Sequence, residues 1–197
     1  VLHWYYKNKR EFPWRKTKNT YNVWVSEIVL QQTQTSQGLS YYTKLIDTFP
    51  TVKDLAKAKE EKVLKLWQGL GYYSRARNLH ATAKYIHYNL SDVFPNNYND
   101  LIELKGIGPY TAAAISSICY NEKRAVVDGN VYRILARVFN NHTAINSHKG
   151  VKIFQKLADS LIGDTDPGAY NQGLMDIGAT ICTPKRPKCL HCPFTKI

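Results

Sequence analysis

The stretch Leu104-Lys105-Gly106-Ile107-Gly108-Pro109-Tyr110-Thr111-Ala112 constrains this chain more than any other. Helix-forming runs flank it, so the chain must reverse direction around Gly106 and Gly108. Glycine tolerates the tight backbone of such a turn and lets the main chain approach another molecule closely. Pro109 suits the first position of the next helix, where its missing N–H costs nothing. The free N–H groups of the turn make an anion nest, and the positive end of the following helix adds to it. Such a turn clamps a phosphate without side-chain charge. Asp128 follows twenty residues past Gly108, within Val127-Asp128-Gly129-Asn130. Phosphate repels a carboxylate, so Asp128 needs a reason to be there. The plain one is a cap for the helical run 129–139.

Charge fits a polyanion partner. The 197 residues carry a net charge of +12. Residues 1–20 contribute +5 and residues 182–197 contribute +4, so most of the excess lies at the two ends. If those ends meet in space they form one basic face. The chain is long enough to bury a core as one domain or two small ones. No apolar run approaches the roughly 18 residues of a membrane span, and no signal peptide is visible. A start at Val1 rather than Met reads as a fragment or a trimmed start.

The pattern is all-α, with no convincing strand and no repeat. Helices are expected over residues 22–33, 36–49, 60–67, 98–104, 110–120, 129–139, 150–162 and 168–181. Thr51 with Asp54 matches a capping box opening a short helix, and Gly69 and Gly71 break the chain before a helix carrying Leu79, Ala83 and Ile86. Pro184, Pro187 and Pro193 make the tail irregular.

Three of the four cysteines, Cys182, Cys189 and Cys192, lie in that tail. Thiols so closely spaced point to a metal centre, and spacing alone leaves zinc and an iron–sulfur cluster both open. They are expected to converge on one metal centre. Cys119, in an apolar helix, reads as a buried structural thiol. Glu27 stands in Val23-Trp24-Val25-Ser26-Glu27-Ile28-Val29-Leu30, which is apolar nearly all round. A carboxylate there is partly desolvated, which raises its pKa and keeps a proton for general acid catalysis. The plain reading is a Glu at the helix edge, solvated or paired with an Arg.

The hairpin with Asp128 resembles the helix–hairpin–helix and Gly/Pro-Asp loop of the DNA base-excision glycosylase superfamily. Four further strings resemble the MutY-type adenine DNA glycosylases: FPWR at 12–15, SEIVLQQTQ at 26–34, GLGYYSRARNLH at 69–80 and NQGLMDIGATIC at 171–182. The cysteine spacing resembles the [4Fe–4S] loop of the endonuclease III and adenine glycosylase families, whose fourth cysteine falls one residue beyond Ile197. Thymine-mismatch relatives share the hairpin and the Asp, but not the pairing of QQTQ with GLGYYSRARNL.

The resemblance implies a two-lobed, endonuclease III-like fold. Residues 20–135 form one helical lobe holding the hairpin (98–120) and the Asp128 loop. Residues 1–19 and 136–197 form the other, ending in the iron–sulfur loop 182–197. It also implies hydrolysis of the N-glycosidic bond of adenine mispaired with 8-oxoguanine or guanine in double-stranded DNA, after base flipping. Glu27 is the general acid, and Asp128 stabilises the oxocarbenium-like sugar or bonds to it transiently. Tyr110 and Asn130 orient Asp128 and the sugar. Gln32 and Tyr72 wedge into the duplex, Arg15 and Trp14 line the adenine pocket, and Gly106 and Gly108 hold phosphate. Endonuclease III relatives carry Lys at the position of Tyr110, so strand cleavage through a Schiff base is not expected. A monomer is implied, in the bacterial cytoplasm or in a nucleus or mitochondrion. The competing readings are a thymine-mismatch glycosylase, a non-catalytic helix–hairpin–helix DNA-binding module and a zinc-stabilised interaction domain.

Overall fold

The computed structural model describes residues 1–195, all helix and connecting loop among those residues. The last two positions of the 182–197 loop lie outside the described residues. Two compact units are present, Phe12–Ile115 and the discontinuous pair Val1–Glu11 with Ser116–Ile197.

The first unit holds α2 (Thr20–Leu30), α3 (Thr35–Thr48), α4 (Val52–Lys57), α5 (Glu60–Leu66), α6 (Ser74–Asn89), α7 (Tyr98–Ile102) and the start of α8 (Pro109–Tyr120). Helix α2 starts two residues earlier than the sequence suggests because Asn19 caps it, its side chain accepting from the Asn22 N–H at 3.1 Å. Eight of its eleven residues are buried, as an apolar sequence without a polar face requires. It packs on α3 and α6. The Thr51–Asp54 capping box is formed in both directions and opens α4. Trp67, Leu79, Ala83, Ile86 and Leu101 complete this core.

The second unit contains α1 (Leu2–Asn8), α9 (Gly129–Val138), α10 (His148–Leu161) and α11 (Pro167–Thr180), with the last residues of α8. Its core joins Val131, Ile134 and Leu135 of α9, Phe154 and Ala158 of α10, and Leu174 and Ile177 of α11. Val1 and Phe194 both pack on this core, so the two ends of the chain belong to one unit. Helix α1 packs on α11, and Arg10 just after it pairs with the fully buried Asp176 at 2.7 Å. Caps again move the helix starts: Ser147 accepts from Gly150 N–H ahead of α10, and Asp166 from Ala169 N–H ahead of α11.

Candidate functional site

The hairpin forms as a tight turn. Gly106 is left-handed at φ +81°, and the Ile107 N–H donates to the Leu104 carbonyl at 3.0 Å. A Cβ on Gly106 would lie 2.7 Å from Asn78 Cβ, so this side of the turn is packed. At Gly108 a Cβ would meet nothing within 4 Å, so that side is open for a ligand to approach the backbone. Ile107 anchors the turn at 4% exposure, and the Thr82 hydroxyl donates to the Lys105 carbonyl at 2.6 Å. Pro109 opens α8 and places the half-buried Tyr110 in its first turn.

Glu27 lies on α2 at 8% exposure, among a helix whose neighbours Trp24, Val25, Ile28 and Val29 are more deeply buried still. The helix ends at Leu30, and just past it Gln32 is exposed with a left-handed backbone, φ 54°. Tyr72 repeats that combination at the other loop of the unit, with φ 46° and 66% of its surface exposed. Trp14 is buried, stacked on Phe12 at 4.8 Å and edge-on to Tyr42 at 5.1 Å. Arg15 is half-buried, with its guanidinium 5.3 Å from the Phe12 ring centre.

In the second unit Asp128 does cap α9: its Oδ1 accepts from the Val131 N–H at 2.8 Å. Its Oδ2 accepts from Asn130 Nδ2, also at 2.8 Å. The Asn130 side-chain Oδ1 in turn accepts from Arg133 Nη2 at 2.8 Å. The segment leading to Asp128 hangs on the fully buried Asn171 of α11. Its Oδ1 accepts from Val126 N–H at 3.0 Å, and its Nδ2 donates to the Arg124 carbonyl and to Ser117 Oγ. The motif 171–182 thus carries a side chain that aims the Asp128 loop.

The three tail cysteines line one cavity of about 350 Å³, together with Arg137, Phe139 and Phe194. They do not close to single-ion spacing: among the described residues no three His, Cys, Asp or Glu groups come together to hold one metal ion. Cys182 is fixed at one wall by arginines, its carbonyl accepting from Arg133 Nε at 2.7 Å and its sulfur from Arg137 Nη1 at 3.4 Å. Cys189 opens a short helical turn, Cys189–His191, and Cys192 follows it. Cys119 lies on α8, half-buried rather than buried, and does not line this cavity.

Gln32, Tyr72, Glu27, Trp14, Arg15, Gly106, Gly108 and Tyr110 therefore belong to the first unit, and Asp128, Asn130 and the three cysteines to the second. Sequence reasoning missed Arg75, Arg133, Arg137 and Asn171. Arg133 and Arg137 stand one turn apart on α9, a spacing that puts two cations on one face. Among the described residues no helix is long and apolar enough to cross a membrane.

Residues 25–159 match the family of HhH-GPD superfamily base excision DNA repair proteins. An adenine DNA glycosylase of Buchnera aphidicola subsp. Acyrthosiphon pisum is 42% identical over all of this chain, which spans 56% of that protein's length. The Homo sapiens adenine DNA glycosylase is also 42% identical over the whole chain, which covers 38% of it. Among solved structures, a thermostable thymine-DNA glycosylase superposes with a TM-score of 0.90 at 30% identity, over 99% of this chain and 90% of that one. An endonuclease III trapped as a covalent intermediate on DNA shares the fold at a TM-score of 0.82 and 18% identity, over 98% and 88% of the two chains.

Proposed function

This chain belongs to the HhH-GPD superfamily of base excision DNA repair proteins, and we propose that it is the catalytic part of an adenine DNA glycosylase. The observation that carries this reading is the 42% identity to adenine glycosylases along the whole chain, from bacterial and mammalian relatives alike. The substrate is double-stranded DNA carrying adenine opposite 8-oxoguanine or guanine, bound by one copy of the chain. The open backbone at Gly108 and the adjacent helix start of α8 take a DNA phosphate. Gln32 and Tyr72, both exposed on left-handed tips, enter the duplex as the adenine leaves the stack. Arg15 and the wall built on Trp14 receive the base.

Adenine leaves poorly unless protonated. Glu27, buried in an apolar helix, supplies the proton to a ring nitrogen on the imidazole side of the base. As the glycosidic bond breaks, positive charge develops on the sugar, and Asp128 offsets it or bonds to it transiently. Asn130 and Tyr110 orient Asp128 and the departing sugar; the 2.8 Å Asn130 contact supports this for Asn130. Water then completes the hydrolysis with Glu27 as base. The three thiols that share the tail cavity suit a [4Fe–4S] cluster, which Cys182, Cys189 and Cys192 would hold with a fourth ligand from beyond these three. Such a cluster supplies iron–thiolate bonds that tie the loop together; the acid–base chemistry stays with Glu27 and Asp128.

A thymine-mismatch specificity is the second reading, favoured by the close superposition on a thymine-DNA glycosylase. Single-turnover base release from A opposite 8-oxoguanine and from T opposite G decides between them. Glu27→Gln and Asp128→Asn should each slow adenine release by about 10²–10⁴-fold with DNA affinity retained at fixed salt. If the parent chain binds DNA and releases neither base, the chain is a DNA-binding module and the catalytic assignment fails.

A further inference from the structure

Gln32 and Tyr72 are the exposed tips of two different loops, and both are non-glycine residues with a left-handed backbone, at φ 54° and 46°. Such a backbone is unfavourable for a side chain with a Cβ and persists only where its surroundings hold it. A single side chain sits behind both tips. Arg75, on the first turn of α6, is 9% exposed and sends its two arms in opposite directions.

One arm holds the end of α2. Arg75 Nη1 donates to the carbonyls of Ile28 at 3.2 Å, Val29 at 3.1 Å and Gln31, and reaches Thr33 Oγ1 at 3.4 Å. These oxygens bracket Gln32 on both sides. The helix end would otherwise leave the Ile28 and Val29 carbonyls unpaired, and a cation suits that end of the helix dipole. The other arm holds the second loop: Nη2 donates to the Leu70 carbonyl at 3.4 Å and to the Gly71 carbonyl at 3.3 Å, the residues immediately before Tyr72. Trp67 Nε1 donates to that same Gly71 oxygen at 3.0 Å, and the guanidinium lies 5.2 Å from the Trp67 ring and 5.8 Å from the Tyr72 ring. Five backbone carbonyls and two rings around one planar cation form a rigid joint between the two loops.

We propose that Arg75 is a positioning residue that locks the Gln32 and Tyr72 tips to each other, so that they enter the duplex as one preformed wedge. The proposal rests on the reading of Gln32 and Tyr72 as the residues that enter DNA. Arg75 touches no substrate in this scheme; it acts through the two loops. Lysine cannot replace it, because a point charge lacks the planar fork that serves both loops at once.

The test uses duplex DNA with A opposite 8-oxoguanine and 2-aminopurine beside the adenine, whose fluorescence rises when the stack opens. Arg75→Lys should lower single-turnover adenine release by about 10²-fold, the cost of a misplacement of roughly 1 Å, and should suppress the rise in fluorescence. In the Gln32→Ala, Tyr72→Ala double variant, adding Arg75→Lys should change neither readout by more than about twofold, since coupled residues act as a unit. Equal losses with and without the tips mean a general structural role and overturn the proposal, as does parent-like opening in Arg75→Lys. If Arg75→Lys does not fold, Thr33→Val decides by the same comparison. It removes one acceptor of the Arg75 arm and the 3.3 Å bond from Thr33 Oγ1 to the Gln31 carbonyl. Parent-like behaviour of Thr33→Val then overturns the proposal. Should Gln32→Ala with Tyr72→Ala leave the opening intact, the wedge reading itself fails and this inference with it. A loss there but none on changing Arg75 removes only the inference.

Discussion

Arg133 reaches from the Asn130 side chain to the Cys182 carbonyl, 2.8 Å to the first and 2.7 Å to the second. Its Nη2 also donates to the Gly178 carbonyl at 2.8 Å. One guanidinium thereby ties the group that contacts Asp128 to the end of α11 and to the start of the cysteine tail. The carboxylate of Asp128 is held at one oxygen by its own helix and at the other by a residue whose orientation depends on the tail.

Replacing Arg133 with Lys keeps the charge and loses the planar fork that serves Asn130, Gly178 and Cys182 at once. Asn130 is then free to turn, and Asp128 Oδ2 loses its fixed donor. Single-turnover adenine release should fall by about 10²-fold through misplacement, while the dissociation constant for DNA at fixed salt stays within about twofold, since no phosphate contact is removed. A parent-like rate in a folded Arg133→Lys variant would show that the bridge does not position Asp128.

Gly178 gives a sharper handle on the same contact. A Cβ at this position would lie 2.5 Å from Asn130 Cβ and 3.2 Å from its Cα. Backbone is involved, so the clash is not relieved by a rotamer change alone. Gly178→Ala should destabilise the protein by about 1–3 kcal/mol as overpacking does and slow base release beyond what that loss explains. Thermal melting and single-turnover kinetics measured well below the transition separate the two effects; an alanine variant with parent stability and rate would refute the close packing of α9 on α11.

How much of this was legible beforehand depends on where the partners lie. Helices, the hairpin and the Thr51–Asp54 capping box are written in local signals, and they form where those signals stand. Helices start earlier than their apolar pattern where a side chain caps them, as with Asn19, Ser147 and Asp166. Helix α1 has no strong local signature because its support is distant: the buried Tyr5 donates its hydroxyl to Gln172 on α11. The candidate site shows the same division. Asp128, Asn130 and Glu27 stand in recognisable strings, whereas Arg75, Arg133 and Asn171 act on backbone groups 44 to 49 residues away. A carbonyl has no residue-type signature, so no pattern in the sequence points to such a contact.

His80 is a titration probe of the first unit. It is buried on α6, with Nε2 3.0 Å from the Ala58 carbonyl. Burial, and secondarily Lys84, push its pKa below the ordinary value of 6.5, against a smaller upward pull from the Ala58 and Ala56 carbonyls and Glu60. Below that ordinary value the unfolded chain binds a proton that the folded one resists. The contribution of neutral His80 is therefore complete above it and is lost as pH falls from there toward the depressed folded value. Urea unfolding at about pH 7.5 and about pH 5.5 should show a larger loss of midpoint for the parent than for His80→Gln. Equal losses would mean that His80 titrates alike in both states.

The last expectation concerns bond chemistry at the head of α8. A glycosylase that also cleaves the strand forms an imine between an amine and the sugar carbon, and lysine is the usual amine. Tyr110 occupies the second position of α8, immediately after Pro109, and its phenol cannot form an imine. If Asp128 offsets the sugar charge and water completes the reaction, the product is an abasic site in an intact strand. Incubation with A opposite 8-oxoguanine duplex should release adenine and leave strand breaks only after alkali. Borohydride should trap no more protein–DNA adduct than an Asp128→Asn control, in which base release is slowed. A strong borohydride adduct in the parent chain would assign a covalent amine to the site and overturn the hydrolytic reading. An adduct that appears only on Tyr110→Lys would identify that first turn of α8 as the face presented to the sugar.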